Sequence, residues 1–244
     1  METKPKYLYK NGKRLDGRKL EDYRKMKIKT DVIENAHGSA EVIFGKTKVV
    51  AAIYGPRIMH PKRLSLHDKT LIRARYDMFS FSVEDRKRPG PGRREIEISK
   101  VTSEALRSVT ILEKFPRTVI DVFVSVTQAD ASTRIAGLNA ASVAMANAGI
   151  PMKSLVVGVT FGKIYDEKGV GHVAVDVFKP EDQWGMADVA YARAPSIDET
   201  VLLQMDGDMT KEEFDKGKVL ADKAIESVHK AQIKALKDKY EVSK

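Results

Sequence analysis

A pair of apolar strand segments followed by a helical segment occurs twice along this chain, and that repetition limits its possible folds more than any other feature. In the first round, Ser39-Ala-Glu-Val-Ile-Phe-Gly45 and Lys48-Val-Val-Ala-Ala-Ile-Tyr54 are joined by Lys46-Thr47, with Gly55-Pro56 closing the second run. Two such runs around a tight turn predict a β-hairpin. In the second round, Ser154–Tyr165, the turn Asp166-Glu-Lys-Gly169 and His172–Val177 predict another hairpin of the same plan. Two related halves with no linker between them predict an α+β (mixed α/β) chain in which sheets pack against helices.

The intervening segments complete this outline. Leu71-Ile-Arg-Ala-Arg-Tyr-Asp-Met-Phe-Ser-Phe-Ser82 alternates as a strand with basic side chains on one face. The run Pro89-Gly-Pro-Gly92 ends just before a helical spacing of Ile96, Ile98, Val101, Leu106 and Val109, so a loop delivers Arg93 and Arg94 to a helix N-terminus. Thr118-Val-Ile-Asp-Val-Phe-Val-Ser-Val126 is the clearest strand, β-branched and preceded by Pro116. Ile135–Ala148 predicts a buried helix stopped by Gly149, its many small side chains suiting close packing on a sheet. The last helix opens with the capping box Thr210-Lys-Glu-Glu213 and carries Phe214, Leu220, Ala224, Val228 and Ala231 on one face.

Function is first suggested by a pair of acids. Asp182 and Asp188 lie in Glu181-Asp-Gln-Trp-Gly-Met-Ala-Asp188, on a short connection after the strand-like Val173–Phe178. Such a pair can hold a divalent metal against a phosphate or share acid–base work. Carboxylates in a loop are also common as solvated or turn-capping groups. Asp176, just upstream, reads better as structural than as a third acid. The rest of the chain is basic: Lys and Arg number 43 against 34 Asp and Glu, a formal charge of +9. That balance favours an acidic partner such as nucleic acid.

The chain has no cysteine, which excludes disulfides, thiolate metal sites and a cysteine nucleophile, and suits a cytoplasmic setting. No stretch approaches the roughly 20 apolar residues of a membrane span, and Met1–Lys13 reads as a basic arm rather than a signal peptide. Residues 14–244 read as a single domain.

Six motifs in order carry a family resemblance: Arg14-Leu-Asp-Gly-Arg18, Gly38-Ser39 with Gly45-Lys-Thr47, Tyr54-Gly-Pro56, Arg93-Arg-Glu95, Gln128-Ala-Asp-Ala-Ser-Thr-Arg134, and Glu181-Asp182 with Ala187-Asp188. In these the chain resembles the ribonuclease PH family from about Arg14 to its final helix. Tyr54-Gly-Pro-Arg57 followed by Met59-His-Pro-Lys-Arg-Leu-Ser-Leu66 is similar to the catalytic ribonuclease PH-type subunits of the archaeal exosome. Ala131 and Ser132 depart from the bacterial enzymes, which typically carry a glycine pair before Thr-Arg.

The resemblance implies a ribonuclease PH-type fold, ribosomal protein S5 domain 2-like, and a phosphorolytic 3′→5′ exoribonuclease. Inorganic phosphate, the co-substrate, attacks the last phosphodiester of an RNA and releases a nucleoside diphosphate, reversibly. By resemblance, Ser132, Thr133 and Arg134 bind orthophosphate together with Arg93 and Arg94, and Asp182 and Asp188 are catalytic and hold Mg²⁺ or Mn²⁺. Arg63, Arg73, Arg75 and Tyr76 are implied to contact RNA, with Tyr76 stacking on a base. The implied partners are single-stranded RNA 3′ ends, a related inactive subunit alternating in a hexameric ring, and RNA-binding caps. Two other readings are a homohexameric tRNA-trimming enzyme and an inactive RNA-binding scaffold subunit.

Overall fold

The computed structural model describes residues 4–85 and 87–239. Near the N-terminus β1 (Tyr9–Lys10) and β2 (Lys13–Arg14) form a small hairpin. The first half continues with β3 (Met26–Thr30), β4 (Gly38–Phe44), β5 (Thr47–Ile58), β6 (Leu71–Met78), α1 (Arg93–Val109), β7 (Thr118–Gln128) and α2 (Thr133–Asn147). The second half holds β8 (Val157–Tyr165), β9 (Gly171–Val175), α3 (Lys179–Trp184), β10 (Ala187–Ala194), β11 (Glu199–Gly207) and α4 (Lys211–Asp238).

The strands make a five-stranded sheet in the order β3-β4-β5-β7-β6 and a four-stranded sheet in the order β11-β10-β8-β9. All pairings are antiparallel except β6 with β7. Parallel pairing needs a crossover, and α1 supplies it.

Alternation decides which face of the large sheet is covered. Ile120, Val122, Val124 and Val126 of β7 are buried with Ile72 and Ala74 of β6 and Val49, Ala51 and Ile53 of β5 in one core beneath α1 and α2. Each of these large aliphatic side chains contributes about 1.5–3 kcal/mol by its removal from water. Helix α2 meets both sheets, so it is buried nearly all round and its apolar side chains do not form a single stripe. Small residues make this possible: a Cβ on Gly137 would lie 2.8 Å from Val124 Cγ1. Helix α4 covers β8 and β9 with Ala221, Ala224, Ile225 and Val228. Its capping box forms as expected, Glu213 N–H donating to Thr210 Oγ1 (3.3 Å) and Thr210 N–H donating to Glu213 Oε2 (2.8 Å).

Three expectations change. Both hairpins and helices of the repeat form, but the stretch around Asp188 is not a loop: β10 and β11 are a further hairpin with β10 in the middle of its sheet. Alanines at positions 187, 190, 192 and 194 hid it, because Ala has weak strand preference and β10 tolerates it only by packing close to α2. The stretch after Val173–Val175 is likewise helical, as α3. The described part of the N-terminal segment is no loose arm, since Leu8 is fully buried with Ile164 and Ala174, and its N–H donates to Tyr165 O (3.0 Å). Residues 1–3 lie outside the described residues.

Candidate active site

A network of arginines joins the two halves and sets the position of the acids. Asp176 is wholly buried at the end of β9, at φ 54°. It accepts from Arg24 Nη2 (2.6 Å), Arg24 Nε (2.9 Å) and Arg18 Nη1 (2.8 Å). Arg14 Nε donates to Glu181 Oε1 (2.7 Å), and the same guanidinium reaches the carbonyls of Val175 and Asp176 (both 2.7 Å). Glu181 is thereby fixed as the buried residue of α3, and its neighbour Asp182 with it. The structural reading of Asp176 holds. Arg14, Arg18 and Arg24 had received no role from sequence, although Arg14-Leu-Asp-Gly-Arg18 marked two of them.

The same Arg24 reaches the N-terminus of α2. Its Nη2 donates to Ser132 Oγ (3.0 Å), Ser132 Oγ donates to Val177 O (3.1 Å), and Thr160 Oγ1 lies 2.9 Å from the Ser132 hydroxyl. The Ser132 hydroxyl is thus engaged by the fold. The Thr133 hydroxyl is buried too and faces the Tyr76 hydroxyl. What this terminus offers an anion is its backbone: the first N–H groups of a helix have no intrahelical acceptor and carry the positive end of the macrodipole. Ala131 (φ 57°) and Ser132 (φ 54°) are both left-handed where they turn into α2. Glycine enters that region without a Cβ penalty, so the side chains at these two positions are carried at a conformational cost.

The cleft itself has a volume of about 630 Å³ and is lined by Arg94 and Glu97 of α1, Ser132, Thr133 and Arg134 at the start of α2, Asp182 of α3, Asp188 of β10, and Gln204 and Asp206 of β11. Its α1–α2 side is rich in cations and N–H groups, and its α3–β10–β11 side is acidic. Arg134 is held in a closed ring of hydrogen bonds. Nη1 donates to Gln204 Oε1 (2.5 Å), Nη2 donates to Glu97 Oε2 (3.0 Å), and Gln204 Nε2 donates to Glu97 Oε1 (2.6 Å).

The acids are perturbed in the direction such crowding demands. Burial, then the nearby charges of Asp182 and Asp206, pushes the Asp188 carboxyl up to about 6, while Arg134 and Arg94 pull the other way. Burial also raises Asp182, against the pull of Arg94, Arg24 and Arg134. Among the described residues, no group of three or more His, Asp and Glu side chains is arranged to enclose a metal. The oxygen-only donors facing an open cleft fit Mg²⁺ or Mn²⁺, because Mg²⁺ commonly takes one or two carboxylates and completes its shell with water and substrate phosphate.

The expected residues are therefore split. Arg94, Ser132, Thr133, Arg134, Asp182 and Asp188 share the cleft. Arg93 is exposed at the start of α1 and does not line it; Arg63 is exposed in a 3-10 turn, Lys62–Leu64, also outside it. Arg73 and Arg75 are exposed on β6. Tyr76 needs correcting: it is 2% exposed, with its ring against Gly137 of α2, so it belongs to the core and cannot stack on RNA. The period-2 alternation of β6 turns Arg73 and Arg75 outward and Tyr76 inward. Glu97, Gln204 and Asp206 were missed, the last two because β11 was not recognised as a strand.

Comparison with known proteins agrees with this geometry. The model of the 3′ exoribonuclease family, domain 1 (RNase_PH), matches residues 22–151. The exosome complex component Rrp41 of Pyrococcus furiosus is 52% identical over 96% of this chain and 92% of its own length. That of Methanopyrus kandleri is 49% identical over 98% and 99%. The crystal structure of rice (Oryza sativa) Rrp46 superimposes with a TM-score of 0.80 at 25% identity, covering 92% of this chain and 100% of that one. With more than half its length matched and such relatives along almost all of it, the chain belongs to the ribonuclease PH (3′ exoribonuclease) family.

Proposed function

We propose that this cleft brings orthophosphate against the 3′-terminal phosphodiester of an RNA. The chain is a phosphate-dependent 3′→5′ exoribonuclease subunit of the exosome. The observation that carries the site assignment is the single cleft shared by Arg94, Arg134 and the α2 N-terminus with Asp182 and Asp188.

Two phosphates repel, so the site has to neutralise both and align them. The backbone N–H groups opening α2 and the Arg134 guanidinium hold the attacking phosphate, and Arg94 lies between it and the RNA phosphate. Arg93, beside Arg94 but outside the cleft, steers RNA toward it. An oxygen of orthophosphate forms the new bond to phosphorus, the bond to the ribose 3′ oxygen breaks, and that oxygen takes up a proton. Asp188, whose carboxyl burial and the neighbouring acids raise to about 6, is the proton donor this geometry offers. Asp182 and Asp188 would hold Mg²⁺ or Mn²⁺, which when bound offsets negative charge on the reacting phosphates.

Residues 14–244 act as one domain in this reading, supported by α2 meeting both sheets. The chain works in a ring with other exosome subunits, alternating with a related inactive subunit and topped by RNA-binding caps. Among the described residues no helix is long and apolar enough to cross a membrane, and a cytoplasmic place suits a cysteine-free RNA-degrading enzyme.

The test is the product formed from poly(A). Nucleoside diphosphates should appear only when phosphate and Mg²⁺ are both present, and nucleoside monophosphates would mean hydrolysis and defeat the mechanism. Asp182→Ala and Asp188→Ala should abolish turnover while sparing RNA binding.

A further inference from the structure

We propose that a second cavity, next to the cleft, is a nucleotide site through which a released nucleoside diphosphate acts back on the reaction. This rests on the exoribonuclease reading and extends it to a place outside the cleft. The cavity has a volume of about 700 Å³ and lies where the β4–β5 turn, the chain just after β6, the end of β7 and the start of α3 meet. Lys46, Phe81, Gln128, Asp130, Phe178 and Lys179 are in its wall, and it shares no lining residue with the cleft. A recess of this volume suits a small molecule better than a flat protein contact.

Most of the charge around it is already paired. Arg24 holds Asp176 and lies 3.5 Å from Asp130, Lys179 pairs with Glu84 (2.9 Å), and Asp16 pairs with Arg18 (2.5 Å). Lys46 is exposed and forms no ion pair among the described residues; it acts on Glu84 only through its field. Beside it, Phe81 is 74% exposed, its ring centroid 5.3 Å from that of Phe79. The Phe178 ring is held by the guanidinium groups of Arg14 and Arg18, 6.0 and 5.7 Å from its centroid. The exposed Gln128 side chain makes no hydrogen bond among the described residues. An unpaired cation, a bare aromatic ring and an unused amide together fit a planar base that carries a phosphate. The base stacks on Phe81 and offers its polar edge to Gln128, and Lys46 meets the phosphate.

The cavity and the cleft are walled by the same two segments. Gln128, Ala129 and Asp130 line the cavity, and Ser132, Thr133 and Arg134 line the cleft; Lys179 and Pro180 of α3 line the cavity, and Asp182 of α3 lines the cleft. Hydrogen bonds carry the connection. Ala129 N–H donates to Ser82 O (2.8 Å), which ties the Phe81 segment to the loop. The buried Thr47 hydroxyl, next to Lys46, accepts from Asp130 N–H (3.0 Å) and donates to Ala131 O (2.8 Å). A nucleotide on Lys46 and Phe81 therefore bears on the turn that presents the α2 N-terminus to phosphate.

The experiment is calorimetric titration of ADP, in Mg²⁺ buffer, into the full chain carrying Asp182→Ala so that no turnover occurs. Two ADP molecules should bind per chain, one in each place. Phe81→Ala and Lys46→Ala should each weaken one of the two about fivefold or more and leave the other unchanged, and Phe81→Trp should keep both. Pyrophosphate, which has no base, should bind once. With the active chain, ADP should inhibit phosphorolysis in a mixed pattern against phosphate, and in a purely competitive one after Phe81→Ala, whose rate without ADP should be normal. A single ADP per chain, two sites untouched by Phe81→Ala and Lys46→Ala, or two pyrophosphates per chain would each overturn the nucleotide site; an inhibition pattern unchanged by Phe81→Ala would overturn its action on the cleft. Failure of the unsubstituted chain to release nucleoside diphosphates would instead count against the catalytic reading, since the titration involves no reaction.

Discussion

Asp188 on β10 and Asp206 on β11 are cross-strand partners, and both line the cleft. Like charges directly opposite on neighbouring strands repel, and this pair also sits near Asp182. A fold that keeps such an arrangement holds its acids ready for a proton or a cation at some expense of stability.

The first prediction follows from the sign of that perturbation. The Asp188 carboxyl goes from 3.8 to about 6 on folding, so the native state binds its proton more tightly than the unfolded chain. Stability is then greatest at low pH for this group and falls as pH rises from about 4 to about 6. In metal-free buffer Asp188→Asn should be more stable than the unsubstituted chain at pH 7, by about 0.5–1 kcal/mol, and the gain should vanish below pH 4. Denaturant melts at the two pH values check this, and an equal gain at both would refute it.

Glu97 and Gln204 hold both terminal nitrogens of Arg134. Glu97→Ala should free that guanidinium to swing and raise the KM for phosphate about tenfold, the scale of one charge-assisted hydrogen bond. The KM for RNA should move much less. Steady-state kinetics with each substrate varied in turn separate the two, and equal rises in both constants would show a general disturbance.

Ala131 turns into α2 at φ 57° with a side chain that region disfavours. Ala131→Gly should therefore raise stability by about 1 kcal/mol with little change in turnover. Guanidinium unfolding measures it; a loss of stability would mean the left-handed turn is not strained.

Asp176 and Asp182 are six residues apart and should behave oppositely. Removing Asp176 leaves Arg18 and Arg24 without their shared buried partner, so Asp176→Ala should destabilise by about 3–5 kcal/mol. Asp182→Ala should leave the melting temperature nearly unchanged and abolish turnover. Thermal scans paired with activity assays distinguish structural from catalytic acid, and a stable Asp176→Ala protein would disprove its role as a clamp.

Local patterns along the chain were enough to read the repeated hairpin–helix plan, the buried small-residue helix from Ile135, the capped final helix and the cationic and acidic motifs. Each of these rests on local information: period-two or helical spacing, a turn, a cap. The sequence also pointed to Arg94, Arg134, Asp182 and Asp188, because their motifs are contiguous. Which side chains those motifs meet was set by packing between distant segments. Cross-strand register put Asp206 opposite Asp188, sheet pairing turned an alanine-rich stretch into central β10, and the inward face of β6 took Tyr76 into the core against Gly137 of α2. Register and burial depend on residues far apart in the chain, such as Arg24 reaching Asp176 and Ser132 together, and no local pattern encodes them.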